Sequence, residues 1–87
     1  MEETRVALIG IVVSDRKHVA ELNAILQEYG DYIIGRMGIP YKARGLNIIS
    51  IALDAPQDVI STLSGKLGAL PEISAKVVYA KIPEGGE

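Results

Sequence analysis

The segment Arg36-Met-Gly-Ile-Pro-Tyr-Lys-Ala-Arg-Gly-Leu-Asn-Ile-Ile-Ser-Ile-Ala-Leu-Asp54 constrains the fold more than any other stretch of the chain. It reads as the end of one strand, a polar turn, and a second strand that is apolar on both faces. A chain of 87 residues makes one domain, near the lower limit at which a single core sustains itself. Only one layer of helix is available at that length, and it covers one face of a sheet. The other apolar face then calls for a second copy of the protein.

The remaining segments fill in the topology. Arg5 to Val13 is a β-branched run and predicts a central strand. Ser14-Asp15 supplies helix-capping chemistry. Val19, Leu22, Leu26 and Tyr29 then recur at helical spacing, which predicts a helix from about Arg16 to Tyr29, with Gly30 as its left-handed stop. Asp31 to Ile39 is expected as a strand, Pro40 to Arg44 as a turn, and Gly45 to Leu53 as the next strand. Pro56 suits the first position of a second helix, whose apolar face is Val59, Ile60, Leu63, Leu67 and Leu70. Gly65 inside it costs about 1 kcal/mol relative to Ala. Gly68 and Pro71 end that helix, Ile73 to Ala80 is a last strand, and 81–87 is expected as a flexible tail to the single domain 1–87. The order is βαββαβ. This α+β, ferredoxin-like pattern places two helices on one face of a four-stranded antiparallel sheet, with the first and third strands in the centre.

Neither central strand has a polar side. Val6, Leu8, Gly10 and Val12 alternate with Ala7, Ile9, Ile11 and Val13; Asn47, Ile49, Ile51 and Leu53 alternate with Leu46, Ile48, Ser50 and Ala52. An antiparallel sheet with one wet face normally shows clean alternation. Leu8, Ile49 and Ile51 are expected under the helices. Ile9, Ile11, Leu46, Ile48, Ser50 and Ala52 are expected on the helix-free face, as the contact of a homo-oligomer.

Composition narrows the chemistry. Hydrophobic residues make up 48% of the chain and the net charge is -2, so no field for nucleic acid or an anionic membrane surface is evident. The central strands also lack the aromatic residues on which single-stranded RNA stacks. No cysteine is present, which removes disulfides, thiolate metal sites and thiol catalysis. The longest apolar run is far short of a membrane span, and the acidic start does not resemble a signal peptide, so a cytoplasmic protein is expected. The serines lack a nucleophile elbow, and His18 is the lone histidine, too few for a zinc or nickel site. Gly65-Lys66 lacks the preceding glycine and the following Ser or Thr of a phosphate loop. No catalytic residue, cofactor or metal is therefore expected. Arg36, Tyr41, Lys42 and Arg44 form the one basic cluster, suited to a carboxylate or phosphate.

The strings Arg36-Met-Gly-Ile-Pro-Tyr41, Ile49-Ser-Ile51 and Leu63-Ser-Gly-Lys-Leu-Gly-Ala-Leu-Pro71 resemble the small iron-only hydrogenase system regulators, over nearly the whole chain. Those proteins are similar to ACT domains and to the regulatory domain of the nickel-responsive repressor. The resemblance implies a ferredoxin-like fold, oligomers, and an effector site at a subunit interface. The chain begins almost at its first strand, so a DNA-binding element like that of the repressor is not expected. The repressor's histidines and cysteine have no counterparts, so its nickel site does not carry over. These features predict a non-catalytic regulatory or ligand-sensing homo-oligomer, linked by the resemblance to an iron-only hydrogenase system. The alternative is an interaction module without a small ligand. An enzyme of the small dimeric α+β barrel type would need acid–base residues under the sheet, where the faces are apolar. An effector would sit at a subunit boundary beside the turn after the first strand, touching Ser14, Asp15 and His18, with Arg36 or Arg44 reaching it from the hairpin.

Overall fold

Strand β1 (Arg5–Val13) buries every second side chain in the computed structural model, which describes residues 3–14 and 16–81. Ala7, Ile9, Ile11 and Val13 are closed to solvent, whereas Val6, Leu8 and Val12 stay exposed. β1 pairs antiparallel with β3 (Leu46–Ala55) on one side, with Ile9 opposite Ile51, and with β4 (Ile73–Tyr79) on the other. β2 (Ile33–Tyr41) lies beyond β3, so the sheet order is β2-β3-β1-β4. Helices α1 (Val19–Glu28) and α2 (Gln57–Gly68) pack on the same side. Leu22 and Leu26 of α1 and Ile60, Leu63 and Leu67 of α2 are fully buried in one cluster with Ile9, Ile11, Ile51 and Leu53. This is the expected ferredoxin-like α+β sandwich.

One assignment of faces is reversed. Ile9 and Ile11, expected on the helix-free face, are core residues at 0% and 1% exposure, and Leu8, expected in the core, is 45% exposed. A strand apolar on both sides carries no alternation to fix its register, and a one-residue slip exchanges every side chain between faces. Volume settles the matter. With Ile9, Ile11 and Val13 inward the helices meet large branched side chains, and Gly10 falls on the open side. The opposite register would put Gly10 in the core and leave a void there. In β3 the faces are as expected: Ile49, Ile51 and Leu53 are buried, and Leu46, Ile48, Ser50 and Ala52 lie on the open side.

The connections depart from expectation in instructive ways. Arg16–His18 forms a 3-10 turn before α1, and no side chain caps that helix. Instead the Ser14 backbone N–H donates to the Glu72 carbonyl at 2.9 Å, tying the β1–α1 turn to the α2–β4 turn. Glu72 adopts a φ of 64°, a left-handed conformation unusual for a non-glycine residue. Gly30 does not stop α1 in the left-handed region; a second 3-10 turn, Gly30–Tyr32, follows. β2 therefore starts later than expected and continues through Pro40 to Tyr41. Pro40 lies on an edge strand, the place in a sheet where a residue without an N–H is tolerated. The hairpin turns through a 3-10 turn, Lys42–Arg44, closed by Gly45 at a φ of 64°. Pro56 precedes α2 as its N-cap, and its carbonyl accepts from the Val59 and Ile60 N–H groups. The expected tail lies outside the described residues apart from Lys81.

Candidate functional site

Two features stand out, one on each side of the sheet. On the helix side a groove of about 440 Å³ opens between the start of α1 and the hairpin of β2 and β3. Arg16, Val19 and Asn23 form one wall; Arg36, Gly38 and Pro40 of β2, with Asn47 and Ile49 of β3, form the other. A shallower hollow of about 190 Å³ continues it toward the hairpin, sharing Arg16, Pro40 and Asn47 and adding Lys42. Arg36 and Gly38 reach this side because they pair with Ile51 and Ile49, both buried under the helices. Arg36 Nη2 donates to Asn23 Oδ1 at 2.8 Å, so a neutral amide orients the guanidinium across the groove without cancelling its charge. The charged residues lining both parts are basic: Arg16, Arg36 and Lys42.

The expected ligand residues are brought together only in part. Arg36 lines the groove. His18 ends the 3-10 turn before α1 with Nδ1 at 2.7 Å from Glu21 Oε1, a local contact to the first turn of that helix. Ser14 and Arg44 lie at the two flanking turns and do not line the groove. Asp15 lies outside the described residues. Arg16 belongs to the turn after β1 beside which an effector is expected, whereas no sequence pattern marks Asn23, Gly38 or Asn47 as ligand residues. The available signal was slight: Asn23 follows Val19 by one helical turn, a polar residue at the edge of the apolar stripe.

The second feature is the open sheet face. Val6, Leu8, Val12, Met37, Ile39 and Ile48 are exposed large apolar side chains there, joined by Tyr41 and Val78. Ile34 adds to them at a bulge in β2 and is 64% exposed. Gly10 and Ser50 sit opposite one another in the middle, and Lys76 flanks Gly10 on β4. A Cβ built on Gly10 meets no atom within 4 Å. A shallow dent of about 200 Å³ lies beside it, lined by Val6, Leu8, Ala52 and Val78 among others. Of the residues expected at an oligomer contact, Leu46, Ile48, Ser50 and Ala52 lie on this face; Ile9 and Ile11 do not.

Elsewhere several polar side chains make structural contacts. Lys66 of α2 lies 3.4 Å from the Glu28 carboxylate of α1 and over the Tyr29 ring, linking the two helices. Hydrogen bonding to Tyr29, then to Glu28, raises its pKa above the ordinary lysine value. Arg5 stacks on Tyr79, whose hydroxyl accepts from Gln57 at 2.7 Å. Among the described residues no three of His, Asp and Glu gather to hold a metal ion, and no helix is long and apolar enough to cross a membrane.

Comparison with known proteins gives the fold its relatives. A family model described as "TM1266-like: Iron-only hydrogenase system regulator, putative" matches residues 5–77. The solved structure of the uncharacterized protein TM1266 from Thermotoga maritima is similar over 91% of this chain and 100% of its own, with a TM-score of 0.88 and 32% identity. A formyltetrahydrofolate deformylase from Pseudomonas putida KT2440 aligns over 84% of this chain but 28% of its own, with a TM-score of 0.61 and 11% identity. An unknown protein from Galdieria sulphuraria aligns over 95% of this chain and 49% of its own, with a TM-score of 0.62 and 15% identity. The last two share the fold alone. No curated protein matches the chain.

Proposed function

Since the chain belongs to the family of iron-only hydrogenase system regulators, we propose that it is a non-catalytic regulatory module that senses a small effector and works as a homo-oligomer joined through its open sheet face. The observation that carries this reading is the row of large apolar side chains that the helices leave uncovered. Strands about 4.8 Å apart, with about 3.3 Å per residue, give four strands of 7 to 10 residues a face of roughly 19 Å by about 23–33 Å. Side-chain relief brings its accessible area toward the ~800 Å² per partner of a standard interface. A patch of this kind and size is what association sites present.

Gly10 supports the same reading. Glycine in a strand interior costs about 0.5–1 kcal/mol relative to Ala. Nothing inside the protomer asks for it: its φ is negative or extended, and the space above it is empty. A bare backbone in the middle of an open face suits the close approach of a neighbouring surface. The groove offers a place for an effector, and the charged side chains that line it among the described residues are arginines and a lysine.

The test is genetic and biochemical together. Deleting the gene should alter the level or activity of the host's iron-only hydrogenase, and wild-type protein should restore it. Leu8→Lys puts a charge on the open face at a side chain that is 45% exposed, so the variant should fold and yet fail to restore it. A deletion without effect on the hydrogenase removes the regulatory link. Full restoration by the folded Leu8→Lys variant removes the role of association.

A further inference from the structure

We propose that the groove between α1 and the β2–β3 hairpin is a binding site for a small organic anion, a carboxylate or phosphate head carried on a compact apolar body. This names the effector class for the sensing role proposed above and rests on that reading only for its biological meaning.

The lining dictates the ligand. The chain carries a net charge of -2, yet the charged residues of the groove and its extension are Arg16, Arg36 and Lys42, and no described carboxylate lines either part. Arg36 is the anchor. Its bond to Asn23 uses one donor and fixes the plane of the guanidinium, and the remaining donors match a carboxylate or phosphate in a fork. Val19, Pro40 and Ile49 supply the apolar floor, and Asn47 a further polar group. A volume of about 440 Å³ lies in the range of small-molecule sites.

Gly38 gives the groove its depth. A Cβ placed there meets nothing within 4 Å, so the residue's missing side chain is part of the open volume. Along β2, Arg36 and Gly38 alternate with Met37 and Ile39 of the open face. A ligand in the groove therefore presses on the strand whose other side faces the proposed partner.

Isotope-labelled full-length protein should be titrated with succinate and with AMP, and in parallel with the uncharged succinamide and adenosine, while backbone amides are followed by NMR. At least one anion should move the amides of Arg16, Gly38 and Asn47 saturably. Arg36→Met should weaken that binding by about tenfold or more, through loss of charge-assisted hydrogen bonds. Gly38→Leu should do the same by filling the space, while Arg44→Met and His18→Ala should leave it unchanged. Succinate against AMP reports whether the head is a carboxylate or a phosphate. Neither anion binding at about 10 mM, a free energy too small for a built site, overturns the proposal. So does binding that both Arg36→Met and Gly38→Leu leave intact. Equal binding of the uncharged compounds overturns the anion site while leaving effector sensing standing.

Discussion

Neighbouring residues of β1 should fail in opposite ways. Leu8 is 45% exposed on the open face, and Ile9 is 0% exposed beneath the helices. Fully burying a leucine side chain stabilises by about 1.5–3 kcal/mol. If a partner covers the exposed part of Leu8, 45% of that value, about 0.7–1.4 kcal/mol, belongs to association in each copy. Counted from both copies of a dimer, Leu8→Ala should cost about 1.4–2.7 kcal/mol, which raises the dissociation constant roughly tenfold to a hundredfold. Ile9→Ala instead opens a cavity in the core and should cost about 2–5 kcal/mol of folding stability. Sedimentation equilibrium reads the first quantity, and urea unfolding at fixed protein concentration reads the second. Ile48→Lys should behave as Leu8→Ala does, and Ile11→Lys should unfold the protein because it drives a charge into the helix-covered core. The reasoning fails if Leu8→Ala leaves the association constant of the wild type unchanged.

Two further outcomes follow from local structure. Glu72 holds a left-handed φ of 64° in the α2–β4 turn. Asparagine tolerates that region better, so Glu72→Asn should stabilise by about 0.5–1 kcal/mol and raise the melting temperature by roughly 2–8 °C. A lower melting temperature would show that the glutamate side chain matters more than its backbone. Lys66 has a pKa raised above 10.5 by Tyr29 and Glu28. Its favourable contribution is fully present below the unfolded lysine value and is lost as pH rises through the higher folded value. Removing the amine in Lys66→Met should flatten the alkaline end of the stability profile above pH 10.5; an unchanged alkaline limb in denaturant melts would count against that linkage.

The order of elements was legible because each carried its own periodicity. Leu22 and Leu26 in α1, and Leu63 and Leu67 in α2, repeat at helical spacing and are all buried. The faces of β3 were legible because the small Ser50 and Ala52 share one side and Ile49, Ile51 and Leu53 the other. β1 was not, because both of its faces are apolar and only tertiary packing ranks Ile9 above Leu8. The groove was half legible. Arg36 was visible as part of a basic cluster, but its neighbour Arg16 lies twenty residues away in sequence and joins it only when α1 packs over the edge of the sheet. Gly38 carried no signal at all, because its importance is the empty volume beside it. His18, at the end of the 3-10 turn before α1, bonds Glu21 of α1, a local contact of the kind a surface histidine makes.

The size of the wild-type protein in solution tests self-association through the open face most directly. Light scattering coupled to size-exclusion chromatography at micromolar protein should give a mass of at least twice the 9.3 kDa chain, and Leu8→Lys should return it to a monomer that still melts cooperatively. A wild-type mass of one chain at that concentration would contradict a homo-oligomer built on this face.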